Sequence, residues 1–130
     1  MKPEILLQKA KQAQALAYAP YSGYQVGAAL LCADGTIYTG CNIENAAYSP
    51  TNCAERTAIF KAVSEGQREF VALAVCAGMG GKTENGCTPC GVCRQVLSEF
   101  CKPDMPIYLA NPDGFDTVTL SQLLPHSFKL

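Results

Sequence analysis

Two short runs hold the residues with the most chemistry in them, Asn52-Cys53-Ala54-Glu55 and Thr88-Pro89-Cys90-Gly91-Val92-Cys93. Each reads as the start of a helix. Asn52 is a predicted cap with Cys53 in the first turn, and Thr88 is a predicted cap with Pro89 at the first helical position. Cys90 and Cys93, three residues apart, then share one helix face. A helix start carries partial positive charge and unpaired N–H groups, so it lowers a thiol's pKa and favours the thiolate that zinc binds. Two such starts aimed at one point make a three-thiolate metal site. Three protein ligands leave one tetrahedral position for water, which distinguishes a catalytic zinc site from a structural one. Zinc brings the pKa of that water from about 16 toward about 7. Glu55, two residues beyond Cys53, stands beside the metal as a candidate general acid and base.

Each of these residues also has an ordinary reading. A single buried cysteine is commonly a small apolar core residue, and Asn52 with Glu55 fits a capping box that needs no catalysis. Cys90-x-x-Cys93 could serve as a redox dithiol, and Cys87-x-x-Cys90-x-x-Cys93 has the rhythm of an iron–sulfur run. The cluster reading lacks a fourth cysteine at the right step, since Cys101 falls at the far end of the helix. The redox reading leaves Cys53 and Glu55 without a role. Zinc held by Cys53, Cys90 and Cys93 accounts for all four residues.

The elements that must position them follow from pattern. Ile5–Tyr18 reads as a helix ended by Ala19-Pro20. Tyr24–Ala33 and Thr36–Cys41 read as antiparallel strands joined at Asp34-Gly35. Cys53–Glu65 is a predicted helix closed by Gly66, and Phe70–Ala77 a strand buried on both faces. After the polar, glycine-rich loop Gly78–Thr88 come a helix over Pro89–Phe100 and strands over Pro103–Ala110 and Thr117–Leu120. Strand–helix–strand crossovers require parallel strands, so this order predicts a mixed sheet with helices on both faces, an α/β/α sandwich.

Composition narrows the class. With 130 residues, 48% of them apolar, the chain is expected to form one domain, 1–130, with a substantial core. Its net charge of -1, with scattered lysines and arginines, offers no stripe for a nucleic acid. The longest apolar run, Phe70–Ala77, is too short to span a bilayer. The start Met1-Lys2-Pro3-Glu4 has no secretory apolar segment, which predicts a cytoplasmic address, where eight cysteines stay reduced rather than forming a disulfide framework. Charged residues at 16% leave less polar surface than a monomer usually shows, so an oligomer is expected.

Cys-Ala-Glu opening one helix and Pro-Cys-x-x-Cys opening the next resemble two parts of the zinc deaminase signature. Together with Tyr21-Ser22, Val26-Gly27-Ala28-Ala29-Leu30, Asn42-Ile43-Glu44-Asn45, Cys53-Ala54-Glu55-Arg56 and Pro89-Cys90-Gly91-Val92-Cys93-Arg94-Gln95-Val96, they resemble the small homotetrameric cytidine deaminases of pyrimidine salvage. The resemblance runs from about residue 5 to Phe128. It implies a three-layer α/β/α fold around a mixed five-stranded sheet and one zinc ion per subunit on Cys53, Cys90 and Cys93. It implies hydrolysis of cytidine, and of 2′-deoxycytidine, to the uracil nucleoside and ammonia, with Glu55 moving the protons.

By the same resemblance the Ala54 N–H binds the base carbonyl, Asn42 and Glu44 bind the ribose 3′-hydroxyl, and Arg56 donates to the zinc thiolates. Tyr24 stands where similar enzymes carry a phenylalanine that packs on the nucleoside. Tyr48 and Phe128 match aromatic residues that reach a neighbouring subunit's site, so the expected assembly is a tetramer with shared active sites. The loop Gly78–Thr88 is longer than in similar enzymes and adds Cys87, a rival ligand that precedes the helix and lies outside the dipole favouring the other thiolates. His126 is expected at the surface. Within the same fold the rival is a deaminase of another aminopyrimidine nucleoside such as blasticidin S. A polynucleotide deaminase would need basic stripes, and a non-catalytic thiol module predicts that Glu55→Gln is harmless.

Overall fold

A computed structural model describes residues 1–130. The chain forms α1 (Pro3–Gln14), β1 (Tyr24–Cys32), β2 (Ile37–Cys41), α2 (Ala54–Ser64), β3 (Phe70–Met79), α3 (Gly91–Phe100), β4 (Pro106–Asn111), β5 (Gly114–Thr119) and a single turn α4 (Leu120–Leu123). The five strands make one mixed sheet in the order β2-β1-β3-β4-β5. β1 is antiparallel to both β2 and β3, β3 is parallel to β4, and β5 returns antiparallel. Both crossovers, β2–α2–β3 and β3–α3–β4, therefore join parallel strands, as the order of elements requires.

Alternation along β1 and β3 divides the core. Ala28, Leu30 and Cys32 of β1, with Leu73 and Val75 of β3, face α2 through Ala54, Ala58, Ile59 and Ala62, and α3 through Leu97. Ala29 and Leu31, with Ala72, Ala74 and Cys76, face Leu6 and Ala10 of α1. Helices thus cover both sheet faces, and the three layers agree with the expectation. No helix is long and apolar enough to cross a membrane.

One close approach decides where the site falls. A Cβ on Gly40 of β2 would lie 2.4 Å from the Ala54 carbonyl and 2.6 Å from the Ala58 amide. Only glycine lets the first turn of α2 press directly on the sheet.

Boundaries differ from expectation where tertiary bonds intervene. α1 ends at Gln14 rather than Tyr18, because Tyr18 leaves the helix to bridge Ile43: its N–H donates to the Asn42 carbonyl (3.0 Å) and its carbonyl accepts from Glu44 N–H (2.8 Å). β4 begins at Pro106 rather than Pro103, since Met105 N–H closes a turn onto the Lys102 carbonyl. β5 begins at Gly114 rather than Thr117, because the Asn111 side chain accepts from Asp113 N–H (2.9 Å) and closes a tight hairpin.

Candidate active site

α2 and α3 start side by side, and the cap of each helix is itself a cysteine. Cys53, not Asn52, is the N-cap of α2; Cys90, not Thr88, is the N-cap of α3. Both have the extended backbone that a cap requires. The Cys90 sulfur accepts the Cys93 N–H at 3.5 Å, doing what a serine or aspartate oxygen does at other caps. Asn52 instead donates its Nδ2 to Thr57 Oγ1 (3.1 Å), so no capping box links it to Glu55 and that ordinary explanation of the glutamate fails. Thr88 and Pro89 lie in the approach to the helix, outside its first turn.

The sulfurs of Cys53, Cys90 and Cys93 lie within 4.8 Å of one another. Cys53 Sγ and Cys90 Sγ are 3.7 Å apart. Tetrahedral zinc at about 2.3 Å from each sulfur places them about 3.8 Å apart, so the cluster fits that ion. Arg56 Nη2 donates to Cys53 Sγ at 3.3 Å, while its Nε is buried without a partner. The guanidinium is oriented by the sulfurs, and its charge offsets the negative charge of three thiolates. Before any metal binds, hydrogen bonding from Cys93, supported by Arg56, holds the Cys53 thiol well below the usual thiol range. The same hydrogen bond pushes Cys93 above the usual thiol range. The two sulfurs share one proton and titrate as a pair.

Glu55, the second residue of α2, is almost completely buried. Loss of solvent, reinforced by the nearby Cys53 charge, raises its carboxyl to about 7. Next to it Ala54 is fully buried at the first helical position, where the backbone N–H has no partner within the helix.

Asn42 and Glu44 are brought beside this centre by a short bridge. Ile43 pairs with Asn52 through two bonds, Ile43 N–H to the Asn52 carbonyl (3.0 Å) and Asn52 N–H to the Ile43 carbonyl (2.9 Å), one residue before Cys53. Asn42 accepts from Val26 N–H and donates to the Tyr24 carbonyl, both at 2.8 Å. Its amide keeps one donor and one acceptor position for a ligand. Glu44 accepts from the N–H groups of Tyr21 (2.9 Å) and Ser22 (3.1 Å) and from the Ser22 hydroxyl. The Ser22 hydroxyl, then burial in the opposite sense, then the backbone bonds leave its carboxyl below the ordinary range.

Tyr24 opens β1 opposite Met79, and burial followed by a hydrogen bond with Cys87 pushes its hydroxyl up to about 12. Cys87 itself lies outside the three-sulfur cluster and packs against the core, and burial raises its thiol. Cys101 caps the far end of α3, away from the cluster. His126 is exposed.

Tyr48 and Phe128 do not join the site within this chain: they are 80% and 64% exposed. Tyr48 has a positive φ of 64°, and the Phe128 carbonyl accepts from Gln95 Nε2 at 3.2 Å. Ser22, whose hydroxyl and N–H both hold Glu44, is a site residue beyond those expected from the sequence. Twenty-two positions separate the two, and only the Tyr21-Ser22 dipeptide marked the place.

A buried carboxyl beside three converging sulfurs, on an α/β/α sandwich, defines a hydrolytic metal site of the zinc deaminase type. Residues 1–109 match the sequence family described as the cytidine and deoxycytidylate deaminase zinc-binding region, and the chain belongs to that family. It is 57% identical over 129 residues to a cytidine deaminase of Sporosarcina psychrophila, covering 98% of this chain and 92% of the relative. It is 52% identical to that of Halalkalibacterium halodurans, covering 98% and 95%. Among solved structures it is similar to the cytidine deaminase of Burkholderia pseudomallei, with a TM-score of 0.90 and 44% identity over 98% of this chain and 100% of the other.

Proposed function

We propose that this chain hydrolyses cytidine, and 2′-deoxycytidine, to the uracil nucleoside and ammonia, as one catalytic unit over residues 1–130. The observation that carries the reading is Glu55, an almost completely buried carboxyl in the first turn of α2, two residues beyond Cys53 of the three-sulfur cluster. Cys53, Cys90 and Cys93 would hold the zinc, which when bound supplies a water acidic enough to be hydroxide near neutral pH. Glu55, beside these ligands, is placed to hold and move the protons of the hydrolysis, to N3 of the pyrimidine and then to the amino group as it leaves C4. Burial, which raises the carboxyl above its ordinary range, suits it to both directions of transfer. One water is consumed and one ammonia released.

Ala54 N–H donates to the base carbonyl. Asn42 and Glu44, fixed on β1 and on the Tyr21-Ser22 turn, present their remaining hydrogen-bonding positions to the ribose 3′-hydroxyl. Tyr24 packs on the nucleoside. Arg56 tempers the charge of the thiolates so that the metal keeps its Lewis acidity.

Tyr48 and Phe128 complete the site of a neighbouring subunit, in a cytoplasmic tetramer serving pyrimidine salvage. Their exposure supports this, as does the open apolar groove lined by Phe60 of α2 and Val92, Val96 and Phe100 of α3. Sedimentation should give about 55 kDa, four times 13.8 kDa. A fully active monomer would remove the role given to Phe128.

The deciding experiment is ultraviolet absorbance of cytidine with the zinc-replete protein, with blasticidin S in parallel. Loss of the cytidine band with ammonia release supports the reading. Turnover of the antibiotic alone moves the substrate class, and silence in both leaves a non-catalytic metal module.

A further inference from the structure

Residues 85–90 form no helix or strand, and they carry Cys90 to the centre between Gly86, at φ 78°, and Gly91. Across that stretch the backbone makes a single hydrogen bond to other backbone, from Arg94 N–H to the Cys90 carbonyl (2.9 Å). A segment this loosely tied does not by itself hold a sulfur in ligating position. The missing restraint comes from the side chain of the same residue. Helical side chains lean back over the preceding turn, and that of Arg94 lies over the approach to α3. Its Nε donates to the Pro89 carbonyl (2.6 Å) and its Nη2 to Thr88 Oγ1 (2.8 Å). Its Nη1 donates to the carbonyl of Leu123 (2.7 Å), the last residue of α4, a turn fixed by its own capping box at Thr119 and Gln122.

We propose that Arg94 is a positioning residue for the metal site, gripping the two residues that lead into Cys90 and anchoring that grip to α4. The proposal rests on Cys53, Cys90 and Cys93 being the zinc ligands. All three acceptors are neutral oxygens on two separate segments, so the fork geometry of the guanidinium, rather than its charge alone, makes the connection. Lysine keeps the charge but, as a compact ammonium on a flexible stem, cannot reproduce the planar three-way bridge. Orienting groups one step removed from a metal ligand typically govern affinity by about ten- to a hundredfold.

The test compares full-length wild type, Arg94→Lys and Thr88→Val, each stripped of metal under reducing conditions. Zinc affinity is measured by competition with a chromophoric chelator, the cobalt(II)-thiolate absorption is recorded for each, and circular dichroism follows the metal-free fold. Arg94→Lys should bind zinc about ten- to a hundredfold more weakly and change the cobalt spectrum while its metal-free dichroism stays that of wild type. Thr88→Val, which removes one acceptor and leaves the arginine, should weaken zinc several-fold and decides the matter if Arg94→Lys does not fold. Wild-type affinity and cobalt spectra in the folded variants overturn the proposal, even if their melting temperatures fall, because Arg94 would then only tie α4 down. If wild type turns over no cytidine yet binds zinc, the deaminase reading fails and the affinity comparison still decides Arg94. If wild type binds neither metal at these sulfurs, both ideas fall.

Discussion

Burying Glu55 should cost the fold stability at the pH where its carboxylate works, and Glu55→Gln separates that cost from catalysis. The carboxyl rises from 4.5 to about 7 on folding, chiefly through loss of solvent. The folded chain therefore holds this proton more tightly than the unfolded chain. The associated stability is fully present below pH 4.5 and is lost as the pH rises through 7. The difference between the two protonation states corresponds to about 3 kcal/mol. Glutamine has the same shape and does not titrate here, so its fixed packing cost is the same at every pH. Urea denaturation of the metal-free, reduced proteins at equal concentration, from pH 4.5 to 8.5, should show the variant gaining about 3 kcal/mol on wild type across that range. In zinc-replete form the same variant should keep its metal and lose several orders of magnitude in turnover. Parallel pH profiles for the two proteins would refute the burial argument. Turnover near wild type would refute the proton-transfer role independently.

Three further outcomes follow from single contacts. Gly40→Ala forces backbone of α2 off β2 and should lower metal-free stability by about 2 kcal/mol or more, whereas Gly91→Ala, which meets nothing within 4 Å, should leave it nearly unchanged; thermal melts of the pair test the difference. Arg56→Ala should retain zinc, measured by metal analysis, and lose roughly tenfold in turnover; an unchanged rate would make the 3.3 Å contact to Cys53 incidental. Ser22→Ala removes the hydroxyl holding Glu44 and should raise KM for cytidine severalfold with little change in kcat, and equal losses in both would place Glu44 in the chemistry instead.

Much of the sheet was legible because its signals are local. Asp34-Gly35 marked the β1–β2 turn, where Gly35 does take a positive φ of 89°, and the apolar run from Phe70 marked a strand buried on both faces. The order of elements then required the parallel crossovers. What escaped were features decided at long range. α1 continues to Tyr18 on helical pattern alone, and only the bridge to Ile43 draws the last residues out of it. Tyr48 and Phe128 belong to a site through resemblance alone, and nothing in one chain brings them to it.

The cap positions carry the deeper lesson. Asparagine and threonine are strong cap formers, so Asn52 and Thr88 were the natural choices, yet each helix begins one or two residues later, on a cysteine. The shift changes the chemistry of the site. With Asn52 as cap, Glu55 would reach back to the cap backbone and stay at the surface; with Cys53 as cap, Glu55 becomes the second residue of α2 and is buried beside the sulfurs. Placing Cys53 and Cys90 at the caps also sets two sulfurs where both helices concentrate their partial positive charge. The same atoms that begin the helices therefore gather the ligands. Gly40 is what permits it, because a side chain there would hold the first turn of α2, with Cys53 and Glu55, away from the sheet.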